Sequence, residues 1–491
     1  MSPVHPFNDD DLQELELREI GLDEAKRQLE QYRNPPGFAR ILKPCTAGDG
    51  IQQLPEADLP RLAGLHEEAA KAGRITKFVP ASGAATRMFK DLFPCLEGDG
   101  GGAEFQKFVD GLDRFAFYRD LREEVEYGGH DLDDLVRSKN YRPIVKALLT
   151  EDGLDFANLP KGLLPFHRYD DVSRTAFEEH VMEAASYTRD AHGVCRMHFT
   201  VSPEHLTGFT SHFRDVGLLY MERFAAQFDM GCSNQKPSTD TLAVNSDDSP
   251  FRNSDDRLLF RPGGHGALIE NLADLAGDIV FIKNIDNVQP ERLLSTVTVW
   301  KMALGGCLLE LQKELFELEE RVERDEAGAI EVAARLGVEV AGSKEELLDR
   351  LRRPLRVCGV VKNTGEPGGG PFWVEGQDGR PSLQIVETAQ IDPDSEEQQA
   401  HLAAATHFNP VDLVCGVRDR NGDPYDLHRF VDPGSGLVAS KTAEGKPVKV
   451  LERPGLWNGA MAGWNTVFVE VPLATFSPVK SVNDLLRPEH Q

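Results

Sequence analysis

Apolar residues along this chain fall into two kinds of run. Short strand-like blocks at 77–80, 196–201, 279–285, 357–362, 383–388, 412–417 and 465–471, each interrupted by at most a few polar residues, have the length and β-branched content of buried strands. Between the early blocks, apolar positions recur every three or four residues over 175–190, 203–213 and 267–275, the period of amphipathic helices. Strands alternating with helices predict an α/β fold with a mixed, mostly parallel sheet and flanking helices. Upstream, Leu12, Leu15, Leu17, Ile20, Leu29 and Tyr32 keep a helical pattern as far as a Pro35-Pro36-Gly37 break. A second helical run over 59–72 leads into the first strand. The pattern therefore predicts an N-terminal helical region at 1–75 and a core at 76–490. Two charged stretches interrupt that core. One, 95–158, opens with a glycine-rich turn at 98–102; the other, 308–354, is dense in i,i+4 charge pairs and reads equally as a helical subdomain or a surface hairpin.

Composition narrows the function classes. With 491 residues, 40% of them hydrophobic and 27% charged, the chain has the balance of a soluble globular protein. No run reaches about eighteen consecutive apolar residues, and the N-terminus has neither a basic nor an apolar signal region, which argues against a membrane span and a signal peptide. Seven scattered cysteines without a CxxC pair fit reduced thiols and a cytoplasmic location. A net charge of −27 repels nucleic acid from most of the surface. A phosphate-bearing ligand must then meet a small cationic pocket, so single arginines and lysines become informative.

Four segments carry candidate chemistry. In 79–90, Val79-Pro-Ala-Ser-Gly-Ala-Ala-Thr-Arg-Met-Phe-Lys, a strand ends in small residues before a helical start near Thr86; amides in such a turn can cradle phosphate, with Arg87 within reach. Small residues at such turns also simply permit close packing. Lys161 sits between Pro160 and Gly162, where a loop lysine can point at a phosphate or merely be solvated. In 260–269, Gly263, Gly264 and Gly266 flank His265 and leave space for a flat ligand. Farther on, the strand at 279–285 leads into Asp286-Asn287, where a carboxylate can hold Mg²⁺ or serve as a turn former. Near the end, Lys480 follows Pro478-Val479.

Taken in order, these segments resemble the UDP-sugar pyrophosphorylase superfamily, which includes UDP-glucose and UDP-N-acetylhexosamine pyrophosphorylases. The family's glycine-rich nucleotide loop is similar to 80–88, which implies nucleotide contacts for Ala81, Ser82, Gly83, Thr86 and Arg87. Its proline-lysine element resembles Pro160-Lys161-Gly162, its strand before the second helix resembles 199–202, and its glycine-histidine-glycine loop resembles Gly264-His265-Gly266. Its asparagine-isoleucine-aspartate-asparagine metal strand matches 284–287. Beyond these, 383–390 with Glu387, the pair Phe408-Asn409 and the closing 476–480 fall in the family's order. The order, more than any one piece, carries the resemblance, which points to a separate bacterial branch. Ser82 and Ala85 replace two family glycines, and the stretch between Arg87 and Lys161 is long enough that an insertion must loop out of the site. Gln235 is the candidate reader of the base.

The resemblance implies a GT-A-like, Rossmann-like nucleotidyltransferase that condenses a sugar-1-phosphate with a nucleoside triphosphate, UTP first among them. Arg87, Lys161 and Lys480 are its expected catalytic cations and Asp286 its Mg²⁺ ligand. Gln235, Gly264, His265 and Gly266 join the loop at 81–86 around the nucleotide. Asn287, Glu387 and Asn409 face the sugar. Two other readings stand beside it: a glycosyltransferase acting on a finished nucleotide-sugar, which favours an Asp-x-Asp metal pair and does not need Arg87 or Lys480, and a non-catalytic nucleotide-sugar binder, which the replaced loop glycines favour.

Overall fold

All seven apolar blocks form strands in the computed structural model, which describes residues 6–83, 85–98, 100–170, 172–324, 343–365, 368–376 and 378–491. Part of the charged stretch at 308–354 thus lies outside the described residues. The chain folds as two compact units of discontinuous segments. The first comprises 1–58, 233–280 and 304–470; the second comprises 59–232, 281–303 and 471–491.

In the first unit, Leu355–Lys362 is buried except at its last residue, which suits a central strand. It runs parallel to Asn465–Glu470, with Leu355 opposite Asn465, and antiparallel to His407–Gly416 across a bulge between Gly359 and Val361. Gly50–Gln52 adds in parallel beside Asn465–Glu470. The sheet is therefore mixed and mostly parallel, as the apolar pattern predicts. That pattern misses two antiparallel sheets. One joins Ile41–Pro44, Gly369–Glu375 and Pro381–Glu387; the other joins Phe260–Arg261, Thr241–Val244, Lys446–Glu452 and Leu437–Ala443. Residues 41–52, expected as helix, are short strands because Gly48 and Gly50 turn the chain with φ of +82° and +88°.

In the second unit, Ile75–Pro80 pairs in parallel with Val194–Thr200, setting Pro80 opposite Thr200. Helix Ala176–Tyr187 starts at a capping box in which Thr175 and Glu178 satisfy each other's backbone N–H groups, and it is buried on nearly every face. The stretch 95–158 is helical, but it does not loop out. Phe105, Phe108, Leu121, Ile144 and Leu148 share one core with Val79, Ala81, Met88 and Val201. The chain between Arg87 and Lys161 is thus a structural wall of the unit. One helix, Glu291–Glu323, is long and apolar enough by length and composition to cross a membrane, although 44% of its apolar window is buried within the protein.

The last residues dock in the second unit. His490 stacks on His167 at 5.1 Å between ring centroids, with 2.8 Å from His490 Nδ1 to His167 Nε2 and 3.0 Å from His167 Nδ1 to Glu179. Burial, with His167 and Arg487 alongside, pushes the His490 pKa down to about 3. In the unfolded chain the same imidazole protonates below about pH 6.5, so the unfolded state binds the extra proton first and stability falls on acidification by about 1.4 kcal/mol per pH unit. His490 by itself is expected to contribute a loss of about 2 kcal/mol between pH 7 and pH 5 in denaturant unfolding, and His490→Phe should shrink the measured difference by about that amount.

Candidate functional site

The second unit brings together segments far apart in sequence. Strand Ile75–Pro80 stops at Pro80, and the loop after it is bolted to its surroundings. The Ala81 N–H donates to the Thr200 carbonyl at 2.8 Å, the Ser202 hydroxyl to the Ser82 carbonyl at 2.8 Å, and the Lys161 N–H to the Gly83 carbonyl at 3.3 Å. The Ala85 N–H reaches the Leu159 carbonyl at 3.1 Å. Gly83 is exposed, and a Cβ built there meets nothing within 4 Å. Neither backbone conformation nor packing demands glycine at that position, which leaves open space above the loop. After it, the short turn Ala85–Phe89 buries Ala85, Met88 and Phe89 and leaves Thr86 and Arg87 outside. The Thr86 hydroxyl is used within the chain, donating to the Ala157 carbonyl at 2.9 Å. Arg87 makes no ion pair among the described residues.

Lys161 and Asp286 are in direct contact. The ammonium donates to Asp286 Oδ2 at 3.0 Å and to the Val479 carbonyl at 3.0 Å, joining residues 125 and 318 positions away. The side chains of Lys161 and Asp286 are 15% and 24% exposed, so the pair is sheltered yet open to a ligand. Gly162 packs without room for a side chain, since a Cβ there falls 2.6 Å from the Phe209 ring. The Val479 N–H in turn donates to the Asp286 carbonyl at 3.0 Å. Lys480 follows directly and is exposed; its backbone N–H is held by Asp484 Oδ2 at 2.9 Å. Asn287 is buried, and its side-chain oxygen accepts the Ser477 N–H at 3.1 Å. That oxygen ties the closing segment to the strand end.

The remaining expected residues form a second cluster, in the first unit. The Leu456 N–H donates to His265 Nδ1 at 3.0 Å, which makes Nδ1 the acceptor and leaves Nε2 to carry the proton toward Glu387 Oε1 at 3.5 Å. The Trp457 indole N–H donates to the same carboxylate oxygen at 3.2 Å, and its ring stacks on His265 at 4.1 Å. Burial pushes the Glu387 carboxyl up, but the His265 and Trp457 contacts outweigh it, and its pKa lies below the ordinary value. Gln235 Nε2 lies 3.4 Å from the Gly264 carbonyl, so the proposed base reader does meet the glycine-histidine-glycine loop. Asn409 is buried and caps the Val411 N–H at 3.2 Å, where Val411 takes a left-handed φ of +54°. Such a backbone is strained for a β-branched residue.

Sequence patterns gave little sign of two contributors. Trp457, in a glycine-interrupted loop, reads from sequence as a core tryptophan or a wall of a sugar pocket; it is buried, with its N–H on Glu387. Arg356, in an apolar strand, is fully buried and donates only to neutral acceptors: Thr466 Oγ1 at 2.8 Å, the Trp457 carbonyl at 2.6 Å, Gln384 Oε1 at 3.4 Å and the Met461 sulfur at 3.6 Å. It holds the Trp457 loop from below. A cavity of about 570 Å³ in the same unit reaches Gly266, and its lining sets Glu24, Glu30, Glu270 and Glu452 against Arg27 and Arg453.

The glycines separate fold from ligand space. A Cβ on Gly266 falls 2.2 Å from the Pro454 carbonyl oxygen, which is backbone and cannot swing away. Gly266→Ala is expected to cost about 1–3 kcal/mol of stability, whereas Gly83→Ala should change it by less than about 0.5 kcal/mol and instead weaken nucleotide binding. Thermal melts and nucleotide titrations of the two variants check this.

Residues able to hold a metal are few. No group of three or more His, Cys, Asp or Glu suited to an ion occurs among the described residues. The expected ligand Asp286 is a single carboxylate whose Oδ2 is held by Lys161; Mg²⁺ takes one or two carboxylates and completes its shell with phosphate oxygens and water.

Among curated proteins none matches the chain. Among solved structures, it is similar to the uridine diphosphate N-acetylglucosamine pyrophosphorylase of Trypanosoma brucei in complex with inhibitor, at 14% identity and a TM-score of 0.52, over 98% of this chain and 79% of that one. A UDP-glucose pyrophosphorylase variant of Leishmania major in complex with UDP-glucose aligns at 13% identity and a TM-score of 0.46, over 97% and 77% of the two chains. The first likeness establishes a fold shared with the UDP-sugar pyrophosphorylases. By sequence, the family described as Domain of unknown function (DUF4301) matches residues 8–491, and the chain belongs to that family.

Proposed function

We propose that this protein is a sugar-1-phosphate nucleotidyltransferase that uses a nucleoside triphosphate, UTP first among the candidates. The observation that carries the reading is the junction of Lys161, Asp286 and the Val479-Lys480 segment beside the Gly83 loop. Three motifs that mean little alone meet at one carboxylate.

In the proposed reaction a phosphate oxygen of the sugar-1-phosphate attacks the α-phosphorus of the nucleotide. The bond from the α-phosphorus to the bridging oxygen breaks, and pyrophosphate leaves with its electron pair. A phosphate monoester is already a nucleophile, so the protein needs no general base. Its task is to align two anions and neutralise charge that shifts toward the leaving group. Arg87 binds the outer phosphates through its planar fork. Lys161, released from Asp286 when phosphate oxygens offer a better partner, neutralises the reacting centre, and Lys480 flanks it. When bound at Asp286, Mg²⁺ supplies further charge neutralisation on the phosphates.

A screen of sugar-1-phosphates against four nucleoside triphosphates, with Mg²⁺ and pyrophosphate release as the readout, tests this reading. Turnover with one pair supports it. Tight binding of a finished nucleotide-sugar without pyrophosphate release from any pair favours a non-catalytic binder.

A further inference from the structure

Behind the strand that ends at Asp286 runs a line of buried polar side chains outside the contacts described so far. Lys283 is fully buried and donates to Glu183 Oε2 at 2.6 Å and to Gln289 Oε1 at 2.9 Å. An ammonium only donates, so it fixes which end of the Gln289 amide is oxygen and turns the NH₂ the other way. That NH₂ lies 3.0 Å from Asn287 Oδ1 and 2.7 Å from the Thr475 carbonyl. Asn287 Oδ1 also accepts the Ser477 N–H, and Asn287 and Pro478 form an isolated bridge. One residue on, Val479 holds the Asp286 carbonyl with its N–H and the Lys161 ammonium with its carbonyl. The polarity of one glutamine amide therefore decides whether 475–479 stays strapped to the end of the strand.

We propose that Lys283 and Gln289 are positioning residues for the phosphate site, orienting Asn287 and the 475–479 strap so that Val479 holds Lys161 at Asp286, with Lys480 next in the chain. The proposal rests on the reading of Lys161, Asp286 and Lys480 as the phosphate clamp, and it adds the device that sets their geometry. Buried polar networks can also serve only to specify a fold, so the test must read position as well as stability.

Gln289→Glu separates the two. The carboxylate keeps an acceptor for Lys283 but offers no donor to Asn287 or Thr475. In the folded variant, hydrogen exchange of the Ser477 and Val479 amides is expected to rise about ten-fold or more, the loss of local protection that follows when a strap opens. For the substrate pair found in the screen, kcat should fall about 10- to 100-fold with a smaller change in KM, as when a transition-state contact is misplaced. Combined with Lys480→Ala, the loss should be less than the product of the two single losses, because both act through one clamp. Unchanged exchange over 475–479 in folded Gln289→Glu, or independent multiplication of the rate losses, overturns the proposal. Gln289→Met, close in size and lacking the amide, repeats the test if the first variant does not fold. The exchange measurement needs no turnover, so it stands even if the enzymatic reading fails.

Discussion

Lys161→Ala is expected to lower kcat by about 10²–10³, the usual cost of removing one preorganised charge from a phosphoryl-transfer site, while leaving the fold intact. Its side chain is sheltered but not enclosed, and the turn Lys161–Leu163 is held by backbone bonds and by the packing of Gly162. The carboxylate left behind at Asp286 is itself 24% exposed and can take water in place of the ammonium. Asp286→Ala should cost at least as much, because it removes the partner that orients Lys161 and, on the proposed reading, the carboxylate that would hold Mg²⁺. If charge at the reacting centre is what matters, Lys161→Arg restores part of the rate and Lys161→Gln does not. Pyrophosphate release with the productive substrate pair, beside far-ultraviolet circular dichroism of each variant, checks the prediction. Loss of rate together with loss of fold would assign Lys161 to structure.

The second large effect falls on stability. Glu183 is 3% exposed and lies 3.1 Å from Lys77 and 2.6 Å from Lys283, both fully buried. Burial pushes the Lys77 ammonium down to about 7, against the pull of Glu183. Glu183→Ala leaves both ammonium groups in the interior without that carboxylate, and removal of one partner from a buried ion pair costs about 3–5 kcal/mol. Replacing the carboxylate by glutamine, which keeps the shape and two of its contacts, should cost less. Denaturant unfolding of the two variants measures the difference. A cost below about 1 kcal/mol for Glu183→Ala places these charges in the range of surface pairs and contradicts the burial described.

Much of the fold was legible because buried strands need unbroken apolar runs. The apolar runs at 279–282 and 357–361 read as buried strands, and each lies inside one. The antiparallel ribbons were not legible, for the opposite reason: Leu437–Ala443 exposes Ser440, Lys441 and Thr442, so its strand character comes from pairing with Lys446–Glu452 and not from its own pattern. At the site, residue types at motif positions singled out Lys161 and Asp286, whose side chains lie 3.0 Å apart. Sequence could not tell which hydrogen-bonding capacity is left over after folding. Thr86 gives its hydroxyl to Ala157, and Asn287 gives its oxygen to Ser477. Arg356 had no sequence signal at all, because its neutral acceptors come from segments about 30 and about 100 residues away, a separation over which spacing carries no information.

The account turns on phosphate meeting Lys161 at Asp286. Crystals of the protein grown with Mg²⁺ and a non-hydrolysable nucleoside triphosphate test it most directly. The predicted result is a polyphosphate chain over Gly83, touched by Arg87 and Lys480, with the Lys161 ammonium drawn from Asp286 onto a phosphate oxygen. A nucleotide seated elsewhere on the protein, or one that leaves all three cations without a phosphate contact, contradicts it.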